Sequence, residues 1–164
     1  IIYLIKSFIE LNLQNSELLI VGNIDEDIKP IINLYLKNEK IKYIKAQKQN
    51  ELYNFYNQSS LFVTCSIEEG LSMVQLQAMS CGLPVICTSN SGGDEIIDNN
   101  INGFILPIRD MKALQKKIIL LYRDQKLCKK MGKEAKMKVT KHYSWENYGK
   151  NVIQNYQRLI SNNE

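Results

Sequence analysis

Short apolar runs alternate with longer amphipathic stretches along most of this chain. Leu18-Leu19-Ile20-Val21 is a compact apolar run ending at Gly22, and Ile41-Lys42-Tyr43-Ile44, Leu61-Phe62-Val63-Thr64-Cys65, Val85-Ile86-Cys87 and Gly103-Phe104-Ile105-Leu106 repeat the pattern. Runs this short, rich in β-branched and aromatic residues and bounded by Gly, Pro or polar residues, predict strands. Between them the apolar spacing becomes helical, near Asp27 to Leu36, Glu51 to Tyr56, Met73 to Met79 and Glu95. From Asp110 onward the chain is expected to be helical, with breaks around Asp124 and around His142 to Ser144.

Strands alternating with helices over short connections call for parallel pairing with both faces covered. With right-handed crossovers, the expected fold is α/β, a Rossmann-like doubly wound parallel sheet followed by C-terminal helices. The expected organisation is one domain over residues 1–164, with residues 110–164 as its helical part. Ile2 to Leu11 already has helical spacing with neither an initiator Met nor a cap before it, so the domain is expected to be N-terminally truncated.

The 164 residues are 45% hydrophobic and 23% charged, which excludes a disordered chain. No apolar run has the length of a membrane span, and no signal peptide opens the sequence. The formal net charge of +4 reads as lysine scattered along the chain, and no nucleic-acid partner is expected. Cys65, Cys81, Cys87 and Cys128 have no CxxC spacing and the one histidine, His142, is remote in sequence, so no metal site is expected. The four are read as reduced thiols of a cytoplasmic protein.

The candidate chemistry sits in Ser66-Ile67-Glu68-Glu69-Gly70-Leu71-Ser72-Met73-Val74-Gln75-Leu76-Gln77. A strand ends, a loop carries carboxylates and a glycine, and a helix starts near Ser72. The first-turn amides of such a helix make an anion cradle, and Gly70 lets a ligand approach the backbone. Glu69 at the rim suits hydroxyls better than phosphate, and the Gln77 amide suits a diol such as ribose. The same residues also fit a plain helix start, with Ser72 as cap, Glu69 as a dipole-complementing charge and Gln77 as a solvated amide.

This segment, continuing as Ala78-Met79-Ser80-Cys81-Gly82-Leu83-Pro84-Val85-Ile86, resembles the signature of glycosyltransferase family 4, a member of the GT-B fold class. Thr88 to Glu95, Asn102-Gly103-Phe104 and Tyr143-Ser144-Trp145 resemble further family positions. The resemblance implies the donor-binding half of a retaining glycosyltransferase, one that moves a sugar from a UDP- or GDP-sugar to a glycan or lipid-linked acceptor in surface polysaccharide synthesis. It implies no cofactor and no obligate metal. It assigns Glu69 to the sugar hydroxyls, Gly70, Leu71, Ser72 and Met73 to the diphosphate, Gln77 to the ribose, and Ala46 and Gln47 to the base.

Departures qualify that reading, among them Lys45 for a frequent Gly of the base loop and Cys65 for a Pro. Gln77 stands where the family has a second Glu, and the family's Arg and Lys diphosphate clamp would lie before Ile1, as would an N-terminal acceptor domain. The covered chain is therefore expected to be inactive alone. A non-catalytic nucleotide-sugar-binding module and a GT-B-like sugar-nucleotide epimerase are the alternatives. Tyr143 and Trp145 are expected to pack the terminal helix. The Lys129-Lys130 and Lys136-Lys138 charges are expected on a solvated face, with peripheral contact at the inner face of the plasma membrane as a secondary role.

Overall fold

The computed structural model describes residues 1–161. In chain order the elements are α1 (Ile2–Leu11), β1 (Leu18–Val21), α2 (Lys29–Tyr35), β2 (Ile41–Ile44), a 3-10 turn (Gln49–Glu51) running into α3 (Leu52–Asn57), β3 (Phe62–Val63), α4 (Met73–Ser80), β4 (Val85–Thr88), α5 (Gly93–Ile96), β5 (Gly103–Leu106), α6 (Met111–Arg123), α7 (Gln125–His142) and α8 (Trp145–Ser161). Every strand pairing is parallel, as the alternation requires. Residues 162–164 of the expected helical part lie outside the described residues.

The strands divide into two sheets, β1-β2 and β3-β4-β5. A single continuous sheet was the expectation. β3 contributes only Phe62 and Val63 to its ladder with β4, and it shares side-chain packing rather than ladder bonds with β1. Leu18 of β1 and Leu61, Val63 and Cys65 around β3 pack against one core cluster.

Strand β4 is buried at all four positions, and its alternation splits the core. Ile86 packs with Phe104, Leu106, Leu114, Ile118, Leu121 and Met131 on one face. Val85 and Cys87 pack with Ala78, Met79, Ile96, Ala135 and Val139 on the other. This is the two-faced burial of a parallel sheet sandwiched by helices. Helix α1 joins the two sheets, since Leu4 enters the β4–β5 core while Ile5 and Phe8 pack with Ile32 and Ile41 beside β1-β2.

The C-terminal helical breaks are capped as their sequences suggest. Asp110 Oδ1 accepts from the Ala113 amide at 2.8 Å, and Asp124 Oδ1 accepts from the Leu127 amide at 2.8 Å. Ser144 Oγ accepts from the Asn147 amide at 3.2 Å as α8 begins. Such caps satisfy first-turn amides that have no intrahelical acceptor. Tyr143 is half-buried and donates to the Glu95 carbonyl at 2.7 Å, which ties the end of α7 to α5. Trp145 departs from expectation. It is 77% exposed, and its ring stands edge-to-face on Tyr148 of its own helix with ring centroids 6.0 Å apart.

Candidate functional site

The chemistry expected at the strand ends sits on two loops, 66–72 after β3 and 89–93 after β4. Parallel strands deliver consecutive loops to the same edge, and these two are fastened together. The Glu69 amide donates to the Asn90 carbonyl at 2.8 Å. Thr88 Oγ1 donates to the Ser66 carbonyl. Ser91 Oγ donates back to the Thr88 carbonyl at 2.7 Å, closing the turn after β4.

Gly92 completes the junction. Its φ is +63°, and a β-carbon there would stand 2.6 Å from Leu71 Cα and 2.7 Å from Leu71 N. Only glycine combines left-handed backbone with this approach to a neighbouring chain. The Gly70-Leu71 backbone is thus clamped from behind.

Glu69 is exposed, and its Oε2 accepts from Ser66 Oγ at 2.7 Å. One carboxylate oxygen is steered by the loop itself. Gly70 and Leu71 are exposed, Ser72 is buried, and Met73 opens α4 with its side chain 47% exposed. Ser72 holds the N-cap position in extended backbone (φ −78°, ψ 113°), yet its side chain makes no capping hydrogen bond. The plain reading of Ser72 as a side-chain cap is therefore corrected. The helix start at Ser72 and Met73 keeps the donor character of a helix N-terminus.

Gln77 is half-buried on α4, and Tyr56 of α3 donates its hydroxyl to Gln77 Oε1 at 3.2 Å. Gln77 is therefore not simply a solvated amide. Among the described residues Gln77 Nε2 has no acceptor, so its hydrogens are available as donors. Burial pushes the Tyr56 phenol up to about 12, so this donor stays protonated far above neutral pH.

Two partners of the site escaped the sequence reading. One is Tyr56, whose short helix gave no sign of facing α4. The other is Gln75, which is fully buried and donates from Nε2 to the Ser91 carbonyl at 2.7 Å, while its Oε1 has no partner among the described residues. A polar residue on a helix otherwise rich in apolar side chains was the available signal. Gln75 secures α4 to the 89–93 loop.

Ala46 and Gln47 lie apart from these residues, in the exposed loop after β2, where Gln47 Nε2 donates to the Lys45 carbonyl at 3.0 Å. The route from that loop to α4 runs through the 3-10 turn and α3, which packs on α4. A recess at the ends of β3, β4 and β5, lined by Thr64, Cys65, Thr88 and Pro107 among others, encloses about 20 Å³, room for one water. A larger recess of about 260 Å³ lies between Asp98, Asn102 and α7 and contains none of the expected site residues.

Residues 1–138 match the family described as glycosyl transferases group 1. The chain belongs to that family. Within this glycosyl transferase group it is 31% identical over 163 residues to a sucrose synthase of Melioribacter roseus, covering 85% of this chain and 21% of the relative. It is 29% identical over 139 residues to the capsular polysaccharide biosynthesis glycosyltransferase CapM of Staphylococcus aureus, covering 80% of this chain and 36% of that protein. The chain therefore spans well under half the length of these relatives. Its fold is similar to that of Anabaena Alr3699/HepE in complex with UDP-glucose, with a TM-score of 0.85 and 15% identity, covering 95% of this chain and 44% of that one. This group 1 glycosyl transferase domain therefore has the α/β fold found in GT-B enzymes.

Proposed function

We propose that this chain is the nucleotide-sugar-binding half of a family 4 glycosyltransferase that moves a sugar from a UDP- or GDP-sugar to a glycan or lipid-linked acceptor in surface polysaccharide synthesis. The observation that carries the reading is the junction of the 66–72 and 89–93 loops. It brings the Glu69 carboxylate, oriented by Ser66, to the loop entering α4, and we assign the Leu71, Ser72 and Met73 amides of that loop to the anion. The relatives' names and the UDP-glucose bound by a protein of the same fold support the donor class.

In this reading the diphosphate lies against the amides of Gly70, Leu71, Ser72 and Met73, where helix-end donors offset its charge. Glu69 accepts hydrogen bonds from the sugar hydroxyls and fixes the ring for attack. Gln77 takes a ribose hydroxyl through Nε2, and Ala46 and Gln47 border the base. The bond from the anomeric carbon to the diphosphate breaks and a bond to the acceptor oxygen forms. The acceptor proton passes to the departing phosphate, with retention of configuration. No cofactor or metal enters this scheme.

We place the enzyme in the cytoplasm at the inner face of the membrane, in keeping with a lipid-linked acceptor. No helix among the described residues is long and apolar enough to cross a membrane. Calorimetric titration of the chain with UDP, GDP and their glucose and mannose conjugates tests the donor assignment. Saturable binding of one nucleotide series supports it, and heats no larger than dilution for all of them contradict it.

A further inference from the structure

Helix α7 buries Cys128, Met131, Gly132, Ala135 and Val139. At 3.6 residues per turn, Lys126, Lys129, Lys130, Lys133, Lys136 and Lys141 then fall on the opposite side, within an arc of about 140°. All six are exposed. Only Met137 and Thr140 share that arc, and both are exposed as well. The one acidic residue of the helix, Glu134, lies at its edge and is half-buried. Among the described residues none of the six lysines makes an ion pair, whereas Lys138, outside the arc, pairs with Asp98 at 2.9 Å.

The charge is therefore not scattered, as the sequence suggested. The whole chain carries +4, less than this one helix face, so the remainder is net negative. Six unneutralised charges along about 22 Å of helix repel one another. An anionic surface relieves that repulsion.

We propose that this lysine face of α7 docks the protein onto an anionic lipid bilayer. The choice of occupant rests on the membrane placement proposed above, while the face itself stands on the geometry. The row is one-sided on an uninterrupted helix, so a surface can meet most of its length, although Met137 and Lys141 also line the recess beside Asp98 and Asn102. The row's charges are all lysine. Ammonium groups are hydrated point charges suited to diffuse attraction by headgroups, while the arginine forks and amide side chains that grip phosphates and base edges are absent from the arc. Met137, 49% exposed in the middle of the row, meets the acyl boundary.

The test is sedimentation of the full chain with large vesicles of phosphatidylcholine, either alone or mixed with phosphatidylglycerol. The account expects binding only to the mixed vesicles, weakening as salt shortens the screening length. A Lys126→Gln, Lys129→Gln, Lys130→Gln, Lys133→Gln variant should bind more weakly by on the order of fivefold for each lysine removed. A control bearing Lys6→Gln, Lys37→Gln and Lys112→Gln should bind as the parent does. Should the four-site variant fail to fold, the charge-reversing pair Lys129→Glu, Lys133→Glu carries the same expectation.

Equal binding to neutral vesicles, or equal loss in the control, would overturn the proposal. So would duplex DNA held as tightly as the vesicles at the same ionic strength, because the face would then serve any polyanion. UDP titration of the same samples keeps this test separate from the donor assignment, since none of these lysines is placed in the donor site.

Discussion

Gly92 sits against the backbone of Leu71 so closely that a β-carbon on it would stand 2.6 Å from Leu71 Cα. That contact fixes the Gly70-Leu71 backbone against which a diphosphate is proposed to rest. Gly92→Ala should cost more than the roughly 1–2 kcal/mol of left-handed backbone alone, because the obstacle is main chain and cannot swing aside. Urea unfolding should show a lower midpoint at unchanged slope, and calorimetry should show weaker UDP binding from displaced amides. Unchanged stability and affinity would mean that the two loops are not held together as described.

Gln75 makes a sharper comparison. Gln75→Leu removes the donor to Ser91 together with the partnerless Oε1, so the loss of one hydrogen bond is partly offset by relief of a buried orphan. Its expected effect on stability is within about 1 kcal/mol. Gln75→Glu keeps the shape but replaces the donor by a buried carboxylate facing the Ser91 carbonyl, at a cost of about 3–5 kcal/mol near neutral pH. Thermal or denaturant melts of the two variants should rank glutamate well below leucine.

The hydroxyl of Tyr56 and the amide of Gln77 predict a gain of affinity. In Gln77→Glu the carboxylate would accept from Tyr56 with one oxygen and from a ribose hydroxyl with the other. A charge-assisted hydrogen bond exceeds a neutral one by about 1 kcal/mol, so UDP should bind on the order of fivefold more tightly. Tyr56→Phe in the same background should return part of that gain. Both are read by calorimetry.

Alkaline pH should destabilise the fold in a defined window. Burial pushes the Cys87 thiol from 9.0 up to about 11, and the Tyr56 phenol from 10.0 up to about 12. Both groups hold their protons more tightly folded than unfolded. The stability they contribute is therefore whole below pH 9 and is lost as pH rises through 11 for Cys87 and 12 for Tyr56. Stability followed by urea melts from pH 8 upward should fall, and Cys87→Ala should flatten the first part of the decline.

What was legible in the sequence was whatever depends on local pattern. The apolar runs marked the five strands found among the described residues, and Asp110 and Asp124 marked the helix starts that they cap. β3 was read as Leu61 to Cys65, but its ladder holds only Phe62 and Val63, because pairing with β4 and not apolarity decides where a strand ends. The division into two sheets was hidden for the same reason. Glu69 and Gln77 could be singled out by residue type and spacing. Their partners, Ser66 on one side and Tyr56 on the other, depended on where loops and helices meet. The burial of Gln75 comes from the 89–93 loop lying over it, and the exposure of Trp145 from α8 burying no side chain among the described residues. Neither is a property of the local sequence.

The most direct measurement compares UDP-glucose with UDP on the parent chain and on Glu69→Ala. If Glu69 holds the sugar hydroxyls, losing its charged acceptor removes about 1.5–3 kcal/mol from the sugar alone. UDP-glucose should then weaken by about tenfold or more, with UDP affinity unchanged. Equal weakening of both ligands, or no weakening of either, would contradict the placement of a nucleotide sugar at this junction.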